Sequence, residues 1–237
     1  MTALACARTL FAGTLLFVEP AHASAHALRP ALPRVGRALV RASGIATPLG
    51  QDPSELFELY HAPCDLASRL PAGAQPLPLG TRKRRGEVHR DGDWHRSVHV
   101  WLVDESGGLL LQQRSVHKDT YPGRWDVSAA GHLSAGAAPL ETAKAEVRQE
   151  LGLELGLDVL SAGWVGTLPS CATGETRSGP FVCNEFQELF VIRTTTAALD
   201  ALELDGMAHV LLFVCNFKHC SYVSVSIVRM CLSIVRM

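Results

Sequence analysis

Aromatic residues make up only 6% of the 237 residues and charged residues only 19%, and neither sign of charge is in excess, with 22 Lys+Arg against 23 Asp+Glu and a formal net charge of −1. The missing basic surplus argues against a protein built to coat nucleic acid or an anionic membrane. None of the seven cysteines forms a C-x-x-C pair, so neither a zinc ribbon nor a thioredoxin-type redox site is indicated. An odd cysteine count at this length also argues against a disulfide scaffold, leaving buried or incidental thiols in a reducing compartment as the expectation. What is present is 47% hydrophobic residues, enough for a packed core and incompatible with global disorder. The length accommodates one sizeable domain with extensions, or two small domains.

Three regions differ in composition. The first fifty residues contain Arg8, Arg29, Arg34, Arg37 and Arg41, no lysine, and the single acid Glu19. An apolar run at 10–18 precedes the small-residue cluster AHASA at 21–25. Arg-rich, acid-poor composition points to a transit peptide for an organelle, a plastid or a mitochondrion; a secretory signal and a disordered extension of a cytoplasmic protein are the alternatives. The apolar run falls far short of the roughly 20 residues that span a bilayer. Residues 1–80 are therefore expected to lie outside the catalytic fold, with the basic run RKRR at 82–85 as a solvated linker. Residues 86–205 read as folded α/β: strand candidates at 98–103, 159–168 and 185–192, a hairpin at Gly107-Gly108, a turn at Pro122-Gly123, and a helix over 138–151 stopped by Gly152. From residue 206 onward there is neither Asp nor Glu, and the segment SIVRM occurs twice, at 226–230 and 233–237. Two copies are too few for a solenoid, and this apolar tail is expected to be anomalous, of non-native coding.

Glu146 and Glu150 are four residues apart, so on the helix their carboxylates project from one face, one turn apart. Two carboxylates this close repel unless something neutralises them, and a hard dication does this well: Mg²⁺ takes one or two carboxylates and completes its octahedron with water and phosphate oxygens. The small-residue stretch AAGH at 129–132, read as a loop, precedes the helix and lets backbone approach a ligand through Gly131.

The run GHLSAGAAPLETAKAEVRQELGL at 131–153 resembles a Nudix box, G-x5-E-x7-R-E-U-x-E-E-x-G-U with U apolar. Gly131, Glu146, Val147, Glu150, Gly152 and Leu153 match, whereas Ala137, Ala145 and Gln149 replace a Glu, the Arg and a Glu of the pattern. The stretches at 95–132 and 183–196 are similar to the isopentenyl-diphosphate-isomerase-like branch of that family. The resemblance implies an α/β/α sandwich around a mixed sheet, left incomplete at its C-terminal end. It also implies a metal, Mg²⁺ or Mn²⁺, held by Glu146, Glu150 and Gly131. His95, His132 and Glu185 fall on metal-binding positions of the isomerases, and His89 is one residue out of register. Arg114 and Lys118 match groups that hold a diphosphate. Ala130 stands where the isomerases carry a catalytic Cys, and Cys183 stands where they carry a metal-binding Glu. His99 and His117 fit no ligand pattern.

These readings converge on a metal-dependent hydrolase of a diphosphate linked to another group. Glu146, Glu150 and Glu185 are its candidate catalytic residues, and Arg114 and Lys118 its candidate substrate-binding residues. The alternatives are an isopentenyl-diphosphate isomerase and a non-catalytic diphosphate-binding module. A small-molecule diphosphate is the expected partner, with no nucleic acid and no membrane.

Overall fold

The structure, a computed structural model, describes residues 38–40, 52, 54–66, 68–71, 73–105, 107–114, 120–176, 179–200, 202 and 211–216, with 38–40 and 211–216 described as backbone. The elements in chain order are β1 (Ala38–Val40), β2 (Leu56–Tyr60), β3 (Pro78–Arg84), α1 (Arg85–Asp91), β4 (Trp94–Val103), β5 (Gly108–Gln113), β6 (Trp125–Asp126), β7 (Ala129–His132), α2 (Pro139–Leu151), α3 (Leu157–Gly163), β8 (Trp164–Thr176), β9 (Gly179–Arg193), α4 (Thr196–Asp200) and β10 (Leu211–Asn216).

Strand β4 organises the sheet. Along its whole length it runs parallel to β9, with His95 opposite Glu185 and Val103 opposite Arg193. On its other edge it meets β7 antiparallel over Ser97–Val100, β5 at Val103 and β2 at Trp94. A long hairpin joins β8 to β9, and β10 pairs antiparallel with β5. The result is a mixed sheet with helices packed on it, the α/β architecture expected from the sequence.

Alternation along β4 divides its side chains between two faces. Val98, Val100 and Leu102 are buried against Ala143, Val147 and Leu151 of α2 and Leu160 of α3. Trp101 and Val103 turn the other way, toward Leu109, Leu111 and Val127. Helix α2 begins with Pro139 at its first turn and ends at Gly152, whose φ of 66° caps it in the left-handed conformation. This helix and the β4–β5 hairpin are where the pattern placed them.

Five expectations need correction. Residues 56–60 and 78–84, assigned to an extension, are strands of the sheet; Phe57 is fully buried beside Leu59 and Val88. The Pro/Ala/Gly composition at 71–76 marks a connector between β2 and β3 rather than a domain boundary. The basic run is the end of β3 and the start of α1: Arg82 pairs with Glu58 at 2.9 Å, and Lys83 with Asp93 at 2.6 Å and Asp91 at 3.1 Å. Residues 159–163, read as strand, are helical because Leu160 alone enters the core while Val159 stays exposed. The AAGH stretch is strand β7, held by its ladder to β4, and the tail contributes β10 to the sheet instead of leaving that edge open. The transit-peptide reading at 1–37, Lys118, His117 and the repeated SIVRM lie outside the described residues.

Candidate functional site

Strand β7 is short, and both of its faces are used. Gly131 faces the α2 side, where an added Cβ would collide with Glu146 Oε1. The Glu146 carboxylate thus lies directly on the bare glycine, the close approach that only Gly permits. One turn further along α2, Glu150 is buried and accepts hydrogen bonds from Gln112 Nε2 at 2.8 Å and from the Ala130 N–H at 3.1 Å. Two carboxylates therefore converge on one edge of β7, both presenting hard oxygen donors.

His132 points the other way. On that face, registers of β4, β7 and β9 bring together His95, Ser97, His99, His132, Cys183 and Glu185. The rings of His89, His95 and His132 form a triangle, with centroids 5.0–5.1 Å apart. Phe57 of β2 stacks on His95 at 5.2 Å and on His132 at 5.0 Å, closing one side. One donor atom from each of His89, His95, His132 and Cys183 lies within 4.8 Å of the others.

Glu185 sits at the centre of this cluster. Its carboxylate accepts from Ser97 Oγ at 3.0 Å, Gln187 Nε2 at 3.1 Å and Cys183 Sγ at 3.1 Å, and lies 2.9 Å from His132 Nε2. His95 Nε2 and His99 Nε2 each stand 3.8 Å from it. Burial by itself would raise its carboxyl, but the hydrogen bonds from His132 and His99 outweigh that and hold it well below the usual carboxylate range. The histidines shift the opposite way. Burial, with the neighbouring cations, pushes His89 down to about 3 and His132 down to about 4, so both are neutral near pH 7. Burial and the nearby Glu185 charge raise the Cys183 thiol well above its ordinary value.

The pattern of residues matches known proteins. Residues 93–202 match the family model of the NUDIX domain. Nudix hydrolase 3 of Arabidopsis thaliana is 47% identical over 114 residues, a segment that covers 48% of this chain and 14% of that protein. Isopentenyl-diphosphate Delta-isomerase of Streptomyces griseus is 37% identical over 120 residues, covering 50% of this chain and 57% of that protein. The chain thus spans less than two thirds of the length of either relative. The crystal structure of DR0079 from Deinococcus radiodurans aligns with 75% of this chain and 99% of its own, at a TM-score of 0.43 and 18% identity.

Within the matched segment the candidates do not form one set. Glu146, Glu150 and Gly131 gather on the α2 side of β7, whereas His95, His132 and Glu185 gather on the other. Alternation along the strand separates Gly131 from its neighbour His132. The three departures from the box, Ala137, Ala145 and Gln149, are all exposed. Arg114 is already engaged: its guanidinium bonds Asp126 Oδ2 at 2.6 Å, Thr120 Oγ1 at 3.0 Å and the Thr120 carbonyl at 3.1 Å. These bonds tie the end of β5 to Thr120 and to β6.

Three participants were not among the sequence candidates. Cys183 lies two residues before Glu185 on β9, and that spacing alone puts both on one face. His99 was read as ordinary, yet it is two steps beyond Ser97 on the same face of β4 and reaches Glu185. His89 was one residue out of register with the isomerase position; it lies on helix α1, capped by the left-handed Gly92 at φ 70°, and its ring meets those of His95 and His132.

Proposed function

We propose that the NUDIX domain is a divalent-metal-dependent hydrolase that cleaves a diphosphate linked to another group, with Glu146 and Glu150 as the residues that hold the metal. The observation that carries this reading is the seating of both carboxylates on β7, one over bare Gly131 and the other on the Ala130 N–H. Hard oxygens from one helix face fit Mg²⁺ or Mn²⁺. When bound, such a dication supplies Lewis acidity to a diphosphate oxygen and acidifies a water. The chain supplies the rest. Gln112 and the Ala130 N–H fix the Glu150 rotamer, and Gly131 lets Glu146 approach the strand. A box glutamate, rather than Glu185, takes the proton from the attacking water, because a carboxylate held well below its ordinary pKa is a weak base. Lys118 contributes charge to the diphosphate, and Arg114 holds the segment on which Lys118 lies.

The similarity to an isopentenyl-diphosphate isomerase favours a second reading, in which an isoprenyl diphosphate is rearranged rather than hydrolysed. Ala130 opposes it, since no thiol stands at that position to exchange a proton with an alkene. Phosphate release from a panel of nucleotide and isoprenyl diphosphates, with and without Mg²⁺, tests the proposal. Mg²⁺-dependent release is expected, and none from any substrate overturns the hydrolase. Ala130→Cys gains isomerase activity only under the second reading. The Arg-rich N-terminal segment supports an organelle address, which uniform cytosolic signal from a fusion of residues 1–45 to a reporter would reject.

A further inference from the structure

Among the described residues, Tyr121 is the only non-glycine residue with a left-handed backbone, at φ 47°. A bulky side chain is strained there, and the proline that follows adds to the strain, because a residue before proline is pushed toward extended backbone. The local turn does not ask for it. Tyr121, Pro122, Gly123 and Arg124 form a type II turn, closed by the Arg124 N–H on the Tyr121 carbonyl at 3.3 Å. Gly123, at φ 70°, takes the left-handed position that such a turn needs. The demand on Tyr121 comes instead from the β8–β9 hairpin. Its hydroxyl donates to the Thr173 carbonyl of β8 at 2.9 Å, and its ring meets Phe181 of β9 edge-on at 5.6 Å. Gly174 makes room for both, since a Cβ there would lie 2.6 Å from Phe181 Cε1 and 3.2 Å from Tyr121 Oη.

The turn is held differently at its base and at its tip. At the base, the Arg114 guanidinium bonds Thr120, the Arg114 N–H donates to the Arg124 carbonyl at 2.8 Å, and the Gly123 N–H donates to the Arg114 carbonyl at 3.1 Å. At the tip, the Tyr121 hydroxyl and ring hold against backbone strain. Phe181, Cys183 and Glu185 alternate along β9 and share one face. The Tyr121 ring therefore stands at the hairpin end of the row that carries the half-buried Cys183. Burial and the Cys183 charge both raise the Tyr121 phenol above its ordinary value.

We infer that Tyr121 is a strained latch that fastens the 120–124 turn to the β8–β9 hairpin, closes that end of the histidine face, and admits a small molecule to Cys183 and Glu185 when it lets go. Release breaks the hydroxyl bond to Thr173 and the ring contact with Phe181, and the return of Tyr121 to extended backbone offsets part of that loss. The base on Arg114 stays closed and acts as the hinge.

Alkylation of the full chain by iodoacetamide tests this, at one fixed pH, with chelator present so that no ion masks the thiol, and with each cysteine followed separately by peptide mass spectrometry. No turnover is read, so the outcome is independent of the hydrolase. Tyr121→Phe keeps the ring and loses the hydroxyl bond, and Cys183 should be labelled roughly 2–10-fold faster, the population shift that loss of one hydrogen bond sets. Gly174→Ala wedges the same catch from the hairpin side and should act alike. The exposed Cys171 should keep its rate in both variants. In wild-type protein the Cys183 rate should stay nearly flat in urea below the unfolding transition, because the latch opens without exposing the core. An unchanged Cys183 rate in both variants overturns the latch. So does a wild-type rate that follows global unfolding in urea, or an acceleration that Cys171 shares in equal measure.

Discussion

The two faces of β7 solve different problems with adjacent residues. On the α2 face, two glutamates from a single helix turn meet a glycine, and the donors are hard, local in sequence and anchored by one amide and one backbone N–H. On the opposite face, three histidines, a thiol and a glutamate arrive from four elements and are walled by an aromatic ring from a fifth. A strand's two-residue period makes this possible: Gly131 and His132 are chain neighbours, yet they face separate clusters. The lesson is that one short strand can separate a pair of glutamates from a cluster of histidines and a thiol without any intervening layer.

The largest expected effect falls on the histidine face. Phe57→Ala removes a fully buried ring stacked on two histidines and should cost about 3–5 kcal/mol in chemical denaturation. Equal stability in the variant would show that β2 is not part of the wall.

On the glutamate face, Glu150→Gln keeps shape and helix propensity but removes a charge. Turnover with Mg²⁺ should fall by about 10²–10³, equivalent to roughly 3–4 kcal/mol, in steady-state phosphate release. Turnover that survives the substitution unchanged would remove the glutamate face from the chemistry.

Gly131→Ala sharpens the comparison further. The new Cβ collides with the Glu146 carboxylate, a flexible side-chain end that can swing aside, so folding should lose only about 1–3 kcal/mol while Mg²⁺-dependent turnover drops.

Acid should act on the histidine face of the metal-free protein alone. The unfolded His132 titrates near 6.5 and the folded one at about 4, so between these values the unfolded chain binds more protons. Stability should fall as pH drops below about 6.5, with the share owed to His132 spent near its folded value of about 4, and His132→Gln should make the fall shallower between those values in pH-dependent melting curves. The smallest effect belongs to Gln149→Glu. Position 149 is exposed, so restoring the carboxylate should leave turnover equal or a few-fold higher.

Much of the glutamate face was legible in the sequence because its determinants are local. The apolar spacing of Ala143, Val147 and Leu151 and the stop at Gly152 fix a helix, and the helix fixes Glu146 and Glu150 one turn apart. The early hairpin was readable for the same reason, from Gly107-Gly108 between two apolar runs. The histidine face was legible only in part. His95, His132 and Glu185 came from resemblance, whereas Cys183, His89 and His99 acquire their place from pairing between strands and from one short helix.

The sequence by itself determined the helix, its paired carboxylates and the alternation that gives each strand two faces. Only the tertiary structure decided which residues share a face across β4, β7 and β9, that AAGH is a strand rather than a loop, and that Phe57, more than thirty residues upstream of the nearest β4 histidine, closes the cluster. The physical reason is range: helix geometry is written in contacts three and four residues apart, while strand register is set by hydrogen bonds between segments distant in the chain.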